Sequence, residues 1–182
     1  MGVRIKAWTR EEYHRLAAAG VFAPGARVQL VRGEIVETTP QSAAHATAVR
    51  LIQQRLEAVF REGYDVRAQL PLALSEDSEP EPDVAVVPGT ARDYSREHPT
   101  SAVLVVEVAA GTLRFDQGSR ATMYAQAGVR EYWILDLERR VLEVHRHPRP
   151  SGYAAITVAG PGEAVAPEAV PDTPLHVADL LP

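Results

Sequence analysis

Apolar positions along the chain alternate between two rhythms. The longest helical rhythm runs over residues 42–62, where Val49, Ile52, Leu56, Val59 and Phe60 recur at intervals of three and four. Gly63 follows directly and predicts its end. A shorter helix opens at Thr9-Arg10-Glu11-Glu12, a capping-box pattern, carries Tyr13, Leu16 and Ala17 on one side, and stops at Gly20. A third helix is predicted over 116–127, closed by Gly128. Strand-like runs fill the space between. Val28-Gln29-Leu30-Val31 and Glu34-Ile35-Val36-Glu37 flank Arg32-Gly33 and read as a hairpin. Further strands are predicted at 65–70, 83–87, 102–108, 131–136, 140–146 and 152–158. The run at 102–108 is apolar at successive positions, which marks a strand covered on both faces and therefore central. Tyr132 and Trp133 are expected to alternate between core and surface, and Asp136 to serve the turn after its strand. The proline-rich end is expected to wrap the surface. This order of elements predicts an α/β (α+β) fold, a mixed sheet with helices on its faces.

Composition narrows the class. The 182 residues suit a single domain over 1–182, with a core at about 28–146 and a C-terminal extension at 147–182. No run of about 18 apolar residues exists, so no membrane span is expected, and the N-terminal MGVRIKAWTR lacks a signal-peptide core. Met1-Gly2 alone makes no lipidation motif, because Lys6 stands where Ser or Thr is needed. A cytoplasmic protein is expected. Zero cysteines exclude disulfides, a thiolate nucleophile and zinc-thiolate sites. The net charge of -5 argues against a generally basic nucleic-acid coat but leaves room for a local arginine patch. Of nineteen Lys and Arg residues only Lys6 is lysine, and asparagine is absent. A GC-rich genome accounts for both; thermal adaptation is the alternative.

The candidate chemistry comes from two acids in apolar surroundings. Glu107 closes an apolar run, and Asp83 opens another after Pro82. An unpaired carboxylate in such a place is costly. If the strands are neighbours, the two carboxylates converge, and two carboxylates with a backbone carbonyl suit Mg²⁺ or Mn²⁺. The plainer alternatives are an ion pair between Glu107 and a helix arginine, and a strand-start cap for Asp83. The histidines at 145 and 147 are expected at the surface.

Pro82-Asp83 followed by Glu107-Val108 resembles the PD-(D/E)XK nuclease superfamily. More specifically, VLVVEV at 103–108, Asp116, Tyr124-Ala125 and Ala127-Gly128-Val129-Arg130-Glu131-Tyr132-Trp133-Ile134-Leu135-Asp136 are similar to the Uma-two family of restriction endonucleases. EPDVAVVPG, and GEIVE followed by His45, are similar to it as well. The resemblance covers about residues 8–150. It implies a restriction-endonuclease-like mixed central sheet flanked by helices, with an extra N-terminal hairpin and C-terminal strands, often in a homodimer. It also implies a DNA endonuclease using Mg²⁺ or Mn²⁺, with Asp83, Glu107 and the Val108 carbonyl as metal ligands and Glu34 as an outer one. His45 and Tyr124 are implied as substrate contacts. The superfamily lysine is missing two positions after the acid, where Ala109 stands. In the Uma-two pattern it moves to the following helix, and Arg120 occupies that position, four residues from both Asp116 and Tyr124. Arginine positions phosphate but cannot act as a base at neutral pH. Two further readings therefore stand beside an active endonuclease. One is a weakened or inactive nuclease-fold protein that binds nucleic acid. The other is a dimeric regulatory module whose interface uses the C-terminal strands and tail.

Overall fold

The doubly apolar run around Val105 lies in the interior of a sheet. In the computed structural model, which describes residues 4–38 and 40–182, it forms β5 (Leu104–Ala109), every residue of which is buried. Met1-Gly2 lie outside the described residues. The sheet has six strands in the order β3 (Tyr64–Ala68), β4 (Val84–Pro88), β5, β6 (Glu131–Asp136), β7 (Val141–Arg149) and β8 (Gly152–Ala159). Only β5 and β6 run parallel; the other neighbours are antiparallel. A parallel pair needs a crossover, and the segment after β5 provides it as α3 (Leu113–Phe115), a π-helical turn (Asp116–Arg120) and α4 (Ala121–Gln126).

Strand alternation assigns the two faces. Val84, Val86, Leu104, Val106, Trp133 and Leu135 pack beneath α2 (Ala43–Val59), which contributes Ala48, Val49, Ile52 and Leu56. Ala85, Val87, Val105, Tyr132 and Ile134 face Met123 and Tyr124 of α4 on the other side. At about 1.5–3 kcal/mol per buried large side chain, neither face is dispensable. Ser42 caps α2 by accepting from the His45 N–H at 3.2 Å, and the helix ends at Phe60, three residues before the Gly63 expected to stop it. The Thr9–Glu12 capping box opens α1 (Arg10–Ala18) as read from the sequence. The hairpin of β1 (Val28–Val31) and β2 (Glu34–Glu37) forms a sheet of its own. Its two-residue turn holds Arg32 and Gly33 at φ 52 and 77, and a Cβ on Gly33 would meet the Ala7 Cβ at 2.7 Å. Among the described residues no helix is long and apolar enough to cross a membrane.

Three sequence expectations need correction. Tyr132 and Trp133 do not alternate between core and surface; both are fully buried, because both faces of β6 are covered. His145 is buried between Tyr132 and Tyr153, beside Glu143, whereas His147 is exposed as expected. The C-terminal segment does more than wrap the surface. It forms a small antiparallel pair, β9 (Ala164–Val165) with β10 (Leu175–His176), and a 3-10 turn (Val177–Leu180). Leu175, Val177, Leu180 and Leu181 join the α2 face of the core. Asp136 does serve its turn, accepting the N–H groups of Glu138 and Arg139, both at 3.0 Å.

Candidate active site

The antiparallel register of β4 and β5 pairs Val84 with Val106, which sets Asp83 across from Glu107. The start of one strand thus meets the end of its neighbour, at the rim of the sheet. The Asp83 N–H donates to Glu107 Oε2 at 3.3 Å, and the Val108 N–H donates to Asp83 Oδ2 at 2.9 Å. Asp83 is 8% exposed and Glu107 2%. They lie along a cavity of about 810 Å³ between the start of α2, the end of β2 and the loop after β5.

Other side chains complete each carboxylate. His45, in the first turn of α2, places Nε2 3.1 Å from Asp83 Oδ2, and its buried Nδ1 has no partner. Gln69 donates to Asp83 Oδ1 at 3.2 Å. Arg120 forms a direct ion pair with Glu107 Oε1, and the Tyr124 hydroxyl donates to the same oxygen at 2.8 Å. A second Arg120 nitrogen reaches Gln29 Oε1 at 3.2 Å, while its Nε lies 3.6 Å from Asp116 Oδ1 without a hydrogen bond. Thr112 donates its hydroxyl to Asp116 Oδ2 at 2.6 Å. The predicted regular helix is thus interrupted. Through the π-helical turn the Ala121 N–H bonds to the Asp116 carbonyl five residues back, and Asp116, Arg120 and Tyr124 are all buried.

The sequence-derived residues therefore gather unequally. Asp83, Glu107, Arg120, Tyr124 and His45 form one connected set, and Val108 lies within it through its N–H. Glu34 does not join; it is exposed beside the hairpin turn, and Glu37, at the other end of β2, lines the cavity. Gln29, Gln69 and Asp116 were given no site role by sequence reasoning. Gln69 lies one residue beyond the Ala68–Val84 pair, opposite Asp83, and has a positive φ of 54. Such a non-glycine conformation is uncommon, but only the fold discloses it.

The electrostatics are those of an acid-rich pocket. Seven carboxylates line the cavity against Arg27, Arg114 and Arg120. Burial, then repulsion from Asp83 and Asp116, pushes the Glu107 carboxyl up to about 8 against the pull of Arg120 and Tyr124. Burial raises Asp116 as well, and raises Glu81 at the cavity wall. For Asp83 burial is outweighed by His45, the Val108 N–H and Gln69, and its pKa is lowered. Burial opposes the charge of Arg120, but Glu107, Tyr124 and Asp116 more than compensate and raise its pKa, so it stays a cation.

This arrangement fits a hard divalent cation. The ligating atoms on offer are oxygens, and the local charge is more negative than Arg120 neutralises. Each carboxylate oxygen can accept two bonds, and Asp83 Oδ1 and Glu107 Oε2 each accept one from the protein. Among the described residues no three His, Asp or Glu side chains form a ready-made ligand group. An ion would therefore rest on two carboxylates, backbone and non-protein oxygens, the sparse set Mg²⁺ commonly takes.

The family model Uma2, described as "Putative restriction endonuclease", matches residues 10–178. Among solved structures, a "putative nuclease belonging to DUF820" from Anabaena variabilis ATCC 29413 is similar, with a TM-score of 0.72 and 15% identity. The match covers 95% of this chain and 97% of that one. At such identity the likeness speaks for the fold, and the mixed sheet flanked by helices is the one the sequence led us to expect. No curated protein matches the chain.

Proposed function

The chain belongs to the Uma2 family, and from that membership we propose that it is a divalent-metal-dependent DNA endonuclease. The observation that carries the proposal is the cross-strand meeting of Asp83 and Glu107 in a cavity richer in carboxylates than in arginines. Asp83 and Glu107 would hold Mg²⁺ or Mn²⁺, with the Val108 carbonyl beside them. Glu34 would act only through intervening solvent, since it stands off the cavity. When bound, such an ion acidifies water and stabilises negative charge developing on a phosphodiester.

The protein's own groups position and neutralise. Tyr124 fixes the rotamer of Glu107 through its hydroxyl. His45 orients Asp83 at the wall of the cavity that would take the phosphate. Arg120 contributes a permanent positive charge for the non-bridging phosphate oxygens, and it takes no proton from water because it stays protonated. In the reaction a water oxygen bonds to phosphorus, the phosphorus bond to the leaving sugar oxygen breaks, and that oxygen gains a proton as the water loses one.

Nicking of supercoiled plasmid with Mg²⁺ or Mn²⁺ tests this, with Asp83→Asn and Glu107→Gln alongside the native protein. Loss of nicking in both variants is expected. Equal nicking by all three proteins would assign the cutting to a contaminant. The second reading, a nuclease fold that binds nucleic acid without cutting it, is favoured by the direct hold of Arg120 on Glu107. It predicts a gel shift with DNA and no metal-dependent cutting by any form. A homodimer is part of the proposal by family resemblance, and solution mass measures it. Any interface must avoid Leu175, Val177, Leu180 and Leu181, which are committed to the chain's own core.

A further inference from the structure

We propose that Arg120 is a displaceable counter-cation, which is paired with Glu107 in the free protein and moves to the phosphate when substrate and metal arrive together. The inference rests on the metal-site reading of Asp83 and Glu107 and concerns how that site is controlled. Three features of Arg120 support it.

The first is occupancy. Glu107 Oε1 already accepts from both Arg120 and Tyr124, so it has no lone pair to spare. A dication approaching Glu107 meets a guanidinium in contact with its ligand. Like charges so close in a buried site repel strongly. The second is incomplete satisfaction. Arg120 has five donors, yet its buried Nε makes no hydrogen bond, standing 3.6 Å from Asp116 Oδ1, and its hydrogen-bonded partner besides Glu107 is the neutral Gln29 amide. A phosphate offers charged acceptors that match the guanidinium fork. The third is setting. Arg120 ends a π-helical turn, a winding less regular than the α-helix it interrupts. The guanidinium also lies over the Phe115 ring at 5.4 Å, a contact that asks for no fixed hydrogen-bond geometry.

Metal and phosphate should therefore bind cooperatively. Each removes a cost from the other, because the ion takes over the charge of Glu107 as the phosphate takes over Arg120. Linkage requires the coupling to be equal in both directions.

Calorimetric titration with Mn²⁺, with and without saturating thymidine 3′,5′-bisphosphate, measures this directly. For the native protein the nucleotide is expected to tighten Mn²⁺ binding about tenfold, within the usual range of such couplings. In Arg120→Gln, Mn²⁺ alone should bind more tightly than to the native protein, and the nucleotide should change its affinity by less than about twofold on the same scale. Arg120→Lys keeps a cation at the position and is the variant to use if Arg120→Gln does not fold. Its shorter single ammonium should give a coupling smaller than the native one. Equal Mn²⁺ affinity in native and Arg120→Gln proteins, or undiminished coupling in Arg120→Lys, would overturn the counter-cation role. The metal reading would survive that result provided Asp83→Asn still abolished binding. Mn²⁺ binding that ignores Asp83→Asn, or none in any form, would remove both.

Discussion

Glutamine in place of Glu107 keeps the side chain's shape and removes its titration, which isolates one consequence of burying this acid. In the folded protein burial, helped by Asp83 and Asp116, lifts the carboxyl from 4.5 to about 8. The folded chain then holds the proton more tightly than the unfolded chain. The resulting stabilisation is complete below about pH 4.5, declines above it, and is lost as pH rises through about 8. At about 1.4 kcal/mol per pKa unit the shift has a ceiling of about 5 kcal/mol, which relaxation of the site lowers. Asp83 works in the opposite sense, because its lowered pKa adds stability that is lost as pH falls. Between pH 5.5 and pH 8 Asp83 is ionised in the folded and the unfolded chain alike, so its own contribution does not change over that window. Urea unfolding in EDTA, followed by tryptophan fluorescence at pH 5.5 and pH 8, provides the four values. The native protein should lose more stability than the variant between the two pH values, by up to about 3 kcal/mol. Parallel losses in both proteins would refute the claim that Glu107 is held above its ordinary range.

Arg120→Lys should raise metal-dependent plasmid cleavage if the permanently charged guanidinium limits the reaction, because an amine can release a proton; unchanged or lower cleavage would exclude that account. Leu180→Ala removes a fully buried side chain of the C-terminal turn and should cost about 2–5 kcal/mol in urea unfolding, whereas a tail lying on the surface would lose almost nothing. Ser42→Ala removes the cap of α2 and should cost about 1 kcal/mol, with a matching fall in thermal midpoint.

The acidic pair was legible because charge at the end of an apolar run stands out against its neighbours. Asp83 and Glu107 needed only the adjacency of two strands to become a candidate site, and the family resemblance suggested it. Gln69 and Gln29 were not legible, since a neutral amide in a strand becomes meaningful only once register and hairpin docking are known. Glu34 and Glu37 illustrate the same point, as the pattern marked an acidic strand but not which end of it meets the cavity. His145 misled because it stands near the predicted end of its strand, beyond the core of the family resemblance, whereas Tyr132 and Tyr153 enclose the imidazole. Prolines made the tail resemble loose chain, and they obscured four leucine and valine positions that complete the core.

The π-helical turn at Asp116–Arg120 has a consequence for how this segment can change over time. A turn closed over five residues instead of four carries one residue more than a regular helix needs. Deleting Gly118 would remove that residue and let the segment relax to ordinary winding, with the residues before it left in nearly the same phase relative to α4. Asp116 would then stand three residues from Arg120 instead of four, still on the side it shares with Arg120 and Tyr124. Substitutions along the outer surface of the crossover leave that phase untouched. Inheritance in this stretch should therefore tolerate a one-residue gap between positions 116 and 120, the length change that keeps the residues before the turn in register with α4.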